Sequence, residues 1–270
     1  MRVAIYQPRY FPQLHYFNRM FSSDVFVLLE SAQYTKSLVH ATEKGKERKT
    51  SYQSTTPIKS PQGLILLGIP IRHFGYQSMN QTQISYVEPW PNKHLVQIKL
   101  AYQKSPYFSK FFPQLQELLS ARYESLALLN MKTIFWGIAS LLEFDLPLSD
   151  ITEKYIQTYL KDMNIRLRQI ISDSNVDVPR PEGRQKGTEW TTAICKKLQA
   201  TEYMHGETAQ AAYMESDYYA QHGITPVLQK WQCSDYPQQY IKQGFLENLS
   251  VLDLLFNVSP KEARSILNIS

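Results

Sequence analysis

The chain has 270 residues, of which 43% are hydrophobic and 20% are charged, and its formal net charge is +5. This length and composition predict a globular protein with a full hydrophobic core, built as one large or two modest domains. The sequence shows neither a signal-peptide pattern nor a run of about 18 apolar residues, so we expect a cytoplasmic protein without a membrane span. The two cysteines, Cys195 and Cys233, match no disulfide or zinc-site spacing, and we expect no metal.

The first 30 residues predict a strand, a loop, a short helix and a second strand. An apolar run at 3–6 leads into the stiff loop Gln7–Pro12, and a second apolar run covers 25–29. Open parallel sheets place their binding sites just past the carboxyl ends of their strands. We therefore expect Gln7 and Glu30 to border a binding site.

The middle of the chain changes from a strand pattern to a helical one. A polar stretch at 31–63, interpreted as a flap over the first strands, precedes an apolar run at 64–71 that predicts a strand. From 93 to 163, apolar residues recur three or four apart, which predicts successive helices punctuated by Pro106 and Pro113. We interpret 93–163 as a helical insertion or subdomain.

The remaining chain alternates between strand and helix patterns. The predicted strands are 165–171, 202–204 and 225–229, and the predicted helices are 152–161, 188–198, 209–221 and 249–257. A capping box at Ser259 and Glu262 predicts one further short helix. This alternation predicts an α/β fold with a mainly parallel sheet flanked by helices.

Basic residues concentrate in two segments, Lys44–Lys49 and Arg180–Lys186. Such segments attract the phosphates of a nucleotide sugar, of coenzyme A or of nucleic acid, although a solvated loop is the simpler interpretation. Lys36 and Lys59 are further candidates for contact with a phosphate.

The sequence lacks the usual motifs of several enzyme classes. It has no GxGxxG, GxxxxGK[ST], HExxH or GxSxG, so dinucleotide, P-loop, zinc-protease and serine-hydrolase sites have no support. The predicted strand ends instead bring amide, carboxylate, hydroxyl and imidazole groups to one sheet edge. These residues are Gln7, Glu30, Gln33, Ser172, Asp173, Ser174 and His205. Such convergence suits a transferase with a polar substrate, whereas the alternative is that Asp173 caps a helix and His205 closes a turn.

Two further positions carry alternatives. Tyr10, near His15, either lines a pocket for a sugar or base or packs in the core. Asp253 lies among leucines, and a carboxylate at an apolar helix start must be capped, paired or protonated. It either caps its neighbours or joins a buried polar network with Tyr236, Gln238 or Gln239.

Motifs near both ends of the chain resemble those of the WbqC-like bacterial family. They are Gln7-Pro8 with Tyr10 and Pro12, Ser23–Val27, Gln33, Lys36, Ser105–Phe108, Tyr236–Gln238 and Leu249–Asn257. The resemblance spans nearly the whole chain and implies one domain over 1–270. It also implies a role in O-antigen or other surface-polysaccharide biosynthesis, with acyl or aminoacyl transfer to the amine of an activated amino sugar. The chain departs from the family pattern at His15, where a glycine is expected, and at Glu30, where an aspartate is usual.

For this reaction we expect a base near the amine and donors near the oxyanion. The base candidates are His15, Glu30, His205 and Asp253. The substrate-binding candidates are Gln7, Tyr10, Asp24, Gln33, Lys36, Lys59, Ser172, Asp173, Tyr236, Gln238 and Asn257. We expect the two ends of the chain to meet, which would place Gln7, Asp24 and Gln33 near Asp253 and Asn257.

The expected partner is a small molecule, a nucleotide-linked sugar, and the only cofactor that the resemblance suggests is an acyl or aminoacyl donor. Nucleic acid is not expected as a partner, except as a tRNA that carries the donor. Two alternatives stay open: a nucleotidyltransferase-like enzyme, in which His15 alone stands for the usual pair of histidines, and a non-catalytic partner in a glycan assembly complex.

Overall fold

The computed structural model of the protein describes residues 1–42, 45–72, 75–145, 147–148, 151–181, 186–212 and 214–269. Lys44 and the run 182–185 lie outside the described residues, as do the side chains at 45–49. The phosphate contacts predicted for the two basic segments therefore stay predictions.

The strands of the described chain fall into one central sheet and three small hairpins. They are β1 (Arg2–Tyr6), β2 (Val25–Leu28), β3 (Ser37–Thr42), β4 (Gly45–Thr50), β5 (Thr55–Ser60), β6 (Gly63–Gly68), β7 (Ile71–Arg72), β8 (Gln83–Ile84), β9 (Gln169–Ser172), β10 (Glu202–His205) and β11 (Thr225–Leu228). The hairpins pair β3 with β4, β5 with β6 and β7 with β8, all antiparallel.

The central sheet is parallel, with the spatial order β11-β10-β1-β2-β9. Val3 of β1 is in register with Val25 on one side and with Tyr203 on the other. The chain builds the sheet outward from β1 through β2 to β9, and then crosses to β10 and β11 on the other side. The strand order therefore reverses between β1 and β10, which makes the carboxyl ends of these two strands the topological switch point of the sheet.

Helices connect these strands and cover the sheet. They are α1 (Leu14–Phe21), α2 (Trp90–Tyr102), α3 (Phe108–Ser120), α4 (Leu126–Leu142), α5 (Glu153–Leu160), α6 (Asp173–Val176), α7 (Gly187–Lys197), α8 (Glu207–Ala212), α9 (Ser216–Gln221), α10 (Val251–Asn257) and α11 (Pro260–Ile266). None of the helices in the described ranges combines the length and apolar character that a membrane crossing needs.

Alternate residues of the central strands face two separate cores. Ala4 and Phe26 pack into the larger core, which α1, α3, α4 and α10 complete. Val3 and Val27 point the other way, into a smaller core closed by α7 and α9. Each buried side chain of this size contributes roughly 1.5–3 kcal/mol to folding, so the two cores hold the helices on opposite faces of the sheet.

The predicted α/β fold with a mainly parallel sheet is confirmed, and the helical pattern over 93–163 corresponds to α2–α5. Three details differ from the prediction. The strand at 64–71 is β6, which pairs antiparallel with β5 rather than joining the sheet. The single helix at 209–221 is divided into α8 and α9. Pro113 lies inside α3 instead of ending it, because one missing N–H removes only one bond of a helix that its buried face stabilises.

Candidate active site at the sheet's switch point

The carboxyl ends of β1 and β10 lie side by side, and polar side chains from four parts of the chain gather there. Tyr6 ends β1, His205 ends β10, and α1 with its preceding loop supplies the cations. We call this set the switch-point cluster; its members are Tyr6, Arg9, His15, Arg19, His205, Gln229 and Asn248. Crevices at such switch points are the usual ligand sites of open α/β sheets.

Arg19 is a buried charge with a fixed orientation. Its side chain is only 4% exposed, and its Nε and Nη2 donate to Gln229 Oε1 at 2.8 and 2.6 Å. Gln229 is itself held, since its Nε2 donates to Asn18 Oδ1 and to the carbonyl oxygen of His15. Nη1 of Arg19 is buried without a hydrogen-bond partner. A buried donor of this kind is uncommon in native proteins and calls for a ligand or another explanation.

Gly206, directly after β10, makes room for Arg19. A Cβ atom at Gly206 would lie 2.2 Å from Arg19 Nη2, and real Cβ contacts are essentially never that short. The sequence suggests only a turn at His205-Gly206. The structure shows that the missing side chain lets the guanidinium approach the backbone at the switch point.

Arg9 and Arg19 both bring a positive charge close to Tyr6. The Arg9 Nη2 donates to Tyr6 OH at 2.9 Å, and the Arg9 guanidinium carbon lies 4.7 Å from the centre of the Tyr6 ring. The guanidinium carbon of Arg19 lies 4.4 Å from that centre. Burial by itself raises the pKa of Tyr6, but the positive charges of Arg9 and Arg19 and the hydrogen bond from Arg9 together lower it. In the described part of the chain, neither arginine forms an ion pair with a carboxylate.

His15 is held as a neutral imidazole in a defined tautomer. Asn248 Oδ1 lies 3.0 Å from the backbone N of His15 and 3.1 Å from Nδ1. Because that backbone N–H can only donate, the Asn248 atom is an acceptor and Nδ1 carries the proton. Nε2 therefore presents a lone pair, 3.4 Å from Arg9 Nη1. Burial, followed by the charges of Arg9 and Arg19, lowers the pKa of His15 to about 3.

His205 lies at the other side of the switch point. It is buried, and its Nδ1 is 3.4 Å from the carbonyl oxygen of Gly206. Burial lowers the pKa of His205, the bond to Gly206 opposes this, and Arg19 lowers the pKa further. His205 is thus a neutral group beside the buried arginine.

The side-chain amide of Gln53 links the Gln7 side chain to the Gln33 backbone. Gln53 Nε2 donates to Gln7 Oε1 at 2.7 Å and to the carbonyl oxygen of Gln33 at 3.1 Å. Gln53 belongs to the segment before β5 and is buried. This amide bridge ties the loop after β1 to the loop after β2.

Glu30 and Asp173 face each other at the carboxyl ends of β2 and β9. Asp173 accepts hydrogen bonds from the backbone N of Glu30, at 2.7 Å, and from both the backbone N and the hydroxyl of Ser31. Ser174 donates to Glu30 at 2.6 Å, and Ser172 donates to Glu153 at 2.7 Å. Burial raises the pKa of Glu30; the bond from Ser174 opposes this, and the charge of Asp173 adds to it. Asp173 therefore fixes a loop in place.

Asp253 is the centre of a second buried group, which we call the Asp253 network: Lys59, Tyr102, Tyr236, Gln238, Asp253 and Asn257. Tyr102 and Tyr236 each donate to one carboxylate oxygen of Asp253 at 2.8 Å. Burial raises the pKa of Asp253 to about 6, although the bonds from Tyr236 and Tyr102 and the charge of Lys59 lower it. Asp253 is fully buried. The predicted buried network is thus present. Both carboxylate oxygens of Asp253 are buried and bonded to tyrosines, so neither is accessible to act as the predicted base.

The other members of the Asp253 network are also engaged. Lys59 is buried, and its Nζ donates to Gln238 Oε1 at 3.2 Å and to Gly244 O at 2.6 Å. The sequence predicts a phosphate contact for Lys59, but these two bonds already engage its ammonium group. Asn257 donates to the Asp253 carbonyl oxygen and accepts from Ser105. A cleft of about 570 Å³ borders the network at Gln238 and Asn257, but neither Asp253 nor Lys59 lines it.

Three predicted residues lie away from these groups. Tyr10 is fully buried and shares a 3.0 Å hydrogen bond with His94 Nδ1, so it packs in the core instead of lining a pocket. Asp24 precedes β2 and accepts from the backbone N of Arg2, which places it at the amino ends of the strands, opposite the switch point. Lys36 is exposed in the loop before β3.

The two ends of the chain meet, as predicted. Backbone bonds join Leu14 to Leu249 and Val251 to Pro12, at 3.1 and 2.9 Å. The residues brought together by this contact are His15 and Asn248, however, rather than Asp24 and Asp253. Of the members of the switch-point cluster, His15 and His205 are candidates that the sequence predicts. The sequence does not single out the others, which are Tyr6, Arg9, Arg19, Gln229 and Asn248. One signal was available, since Asn18 and Arg19 interrupt the apolar residues at the end of α1.

Comparison with known proteins agrees with the resemblance. The chain is 25% identical over 261 residues to the uncharacterized protein Rv1507c of Mycobacterium tuberculosis (strain ATCC 25618 / H37Rv), a match that covers 95% of this chain and 94% of that protein. No solved structure matches the chain. The profile of the WbqC-like protein family matches residues 7–265, which include every member of the switch-point cluster except Tyr6. The chain belongs to the WbqC-like protein family.

Proposed function

We propose that the protein is a transferase of surface-polysaccharide biosynthesis, which joins an acyl or aminoacyl group to the amine of an activated amino sugar. The reaction would take place at the switch-point cluster. One observation carries the proposal: a neutral His15, whose Nε2 lone pair faces Arg9 Nη1 at 3.4 Å, lies beside two arginines that have no carboxylate partner in the described chain. The family resemblance supports the pathway, and the geometry supports a site that combines a base with donors for an anion.

The chemistry requires two groups that the cluster contains. The sugar amine attacks the carbonyl carbon of the donor, and a base must take a proton from the nitrogen as the new C–N bond forms. His15 Nε2 is the acceptor we assign to that proton; negative charge on the substrate beside Arg9 and Arg19 would offset the two charges that help to lower the pKa of His15. The carbonyl oxygen becomes negative in the tetrahedral intermediate, and a guanidinium stabilises such an oxyanion. Arg9 is the half-buried donor on the same side as Nε2. Collapse of the intermediate expels the donor's leaving group and yields the amide.

A direct test is to search for the amide product. We would incubate the full chain with nucleotide-linked amino sugars and with acyl-coenzyme A or aminoacyl-tRNA donors, and follow the acceptor by mass spectrometry. His15→Gln should remove product formation, because the glutamine amide has no basic nitrogen. His222→Gln is the matched control, since His222 lies at the end of α9 and contacts Tyr218 O. Equal product formation by His15→Gln and wild type would contradict the proposed role of His15.

A nucleotidyltransferase-like enzyme is the second candidate, and the strand order favours it. The order β11-β10-β1-β2-β9 places three strands on one side of the switch and two on the other, an arrangement that nucleotide-binding sheets also use. This function predicts release of pyrophosphate from a nucleoside triphosphate in the presence of a sugar phosphate. Product assays therefore separate the two candidates, because amide formation releases no pyrophosphate from such a mixture.

A further inference from the structure

We propose that the switch-point cluster binds a phosphoryl group of the substrate between Arg9 and Arg19. The inference rests on the proposed function only in assigning this cluster to the substrate; it names the chemical class that the cluster recognises. The group would belong to a phosphomonoester or a diphosphate, and its oxygens would accept from both guanidinium groups. The sequence directs attention to Lys36 and Lys59 for this contact, and the proposed reaction uses only Arg9, as a donor to the oxyanion.

Electrostatic repulsion favours an anion between the two arginines. Two guanidinium groups share the Tyr6 ring, at 4.7 and 4.4 Å, and repel each other in a largely buried setting. Their hydrogen-bond partners, Gln229, the Tyr6 hydroxyl and His15 Nε2, are neutral. A buried charge without a counter-charge is unfavourable, and like charges in a low-dielectric site add to the cost. An anion bound between Arg9 and Arg19 would remove both penalties.

The geometry of the cluster also leaves donors available for a ligand. Gln229 fixes one edge of the Arg19 fork, and the remaining Nη1 is buried with no partner, so a donor is left unused at a fixed position. Gly206 leaves no side chain in the way. Tyr6 OH accepts from Arg9, which leaves its own proton free to donate to an oxygen of the ligand. The described site thus offers donors from three residues, Arg19, Arg9 and Tyr6.

The charge selects a phosphoryl group over a carboxylate. A carboxylate carries one negative charge and matches one guanidinium fork, which would leave the second arginine without compensation. A phosphoryl group carries up to two charges on three oxygens and matches two forks at once. Lys59, the lysine that the sequence suggests for this task, already donates to Gln238 and Gly244. The arginine pair is therefore the phosphate site that the geometry supports.

Calorimetry and ³¹P NMR on the full chain test the inference. The probes are inorganic phosphate, a hexosamine 1-phosphate and a nucleoside diphosphate, with acetate as the single-charge control. We expect the phosphate probes to bind and acetate not to bind. Arg9→Gln and Arg19→Gln should each weaken binding by roughly tenfold or more, the loss expected for one charge-assisted pair. Arg166→Gln is the matched control, because Arg166 pairs with Asp24 at the opposite edge of the sheet. Since Arg19→Gln also removes a buried group and can fail to fold, half-buried Arg9 decides the test.

The results of these measurements identify which kind of molecule carries the phosphoryl group. They also distinguish the proposed phosphate site from the proposed reaction. Tighter binding of the hexosamine 1-phosphate identifies a sugar phosphate, and tighter binding of the nucleoside diphosphate identifies a nucleotide carrier; both support the inference. Phosphate binding that is equal in wild type and Arg9→Gln, absence of binding by all phosphate probes, or equal binding of acetate would overturn it. Arginine-dependent phosphate binding without amide formation removes the proposed reaction and leaves the phosphate site standing. Amide formation that depends on His15, without phosphate binding, removes the phosphate site and leaves the proposed reaction standing.

Discussion

The switch-point cluster and the Asp253 network are both buried and polar, yet they compensate their charges differently. In the Asp253 network, both carboxylate oxygens accept from tyrosines and Lys59 Nζ has two acceptors. In the switch-point cluster, two arginines have neutral partners and one guanidinium nitrogen has none. Fully paired polar groups hold a fold together, whereas a prearranged unpaired donor is suited to a ligand. This difference supports a structural role for the Asp253 network and the proposed ligand binding at the switch-point cluster.

The largest effect we expect is on stability, from removing the centre of the Asp253 network. Asp253→Ala leaves the hydroxyls of Tyr102 and Tyr236 without their acceptor and Lys59 without its nearby charge. The free energy of unfolding should fall by about 3–5 kcal/mol, measured by urea denaturation. Asp235→Ala, at an exposed site next to Tyr236, should change it by less than about 0.5 kcal/mol.

Phosphate binding by Asp253→Ala should remain close to that of wild type wherever the variant is folded. A stable Asp253→Ala protein that has lost phosphate binding would reverse the assignment of the two regions. That result would place the ligand site on the Asp253 side of the molecule.

A smaller change in stability and a large loss of binding are expected from Gly206→Ala. The new methyl group must displace Arg19 Nη2 from a position 2.2 Å away, which costs about 1–3 kcal/mol of unfolding free energy. Displacement of the guanidinium should also weaken phosphate binding roughly tenfold. Thermal unfolding and calorimetry measure the two effects separately.

Gly68→Ala is the matched glycine control, because a Cβ at Gly68 would meet Thr55 at an ordinary 3.7 Å. It should leave phosphate binding unchanged. If Gly206→Ala binds phosphate as tightly as Gly68→Ala does, then the clearance at Gly206 has no part in positioning Arg19.

Local patterns in the sequence predicted much of the fold but only part of the site. Apolar runs identify β1 and β2, because strands buried on both faces leave little freedom in composition. Asp253 among leucines predicted a buried network for the same reason, since its neighbours force it into the core. Strand order was beyond these patterns. So was the state of Arg19, which depends on Gln229, 210 residues later in the chain.

The two regions should also respond to pH with opposite signs. Folded His15 has a pKa of about 3 against an ordinary 6.5, so the unfolded chain binds more protons and stability falls as the pH drops from 6.5 toward 3. Folded Asp253 has a pKa of about 6 against 3.8, so the folded chain binds more protons and stability falls as the pH rises from 3.8 through 6. Melting temperatures of wild type, His15→Gln and Asp253→Asn between pH 4 and 7 measure both slopes, at about 2–4 °C per kcal/mol.

On acidification, wild type should lose stability relative to His15→Gln and gain it relative to Asp253→Asn. Bound phosphate should sharpen the contrast. A dianion between Arg9 and Arg19 offsets the two charges that help to lower the pKa of His15, so saturating phosphate should raise that pKa and flatten the His15 slope alone. The Asp253 slope should stay as it was, because none of the groups that shift the pKa of Asp253 belongs to the switch-point cluster. Equal flattening of both slopes would mean that phosphate acts on the whole surface charge, and identical slopes without phosphate would remove the distinction between the two regions.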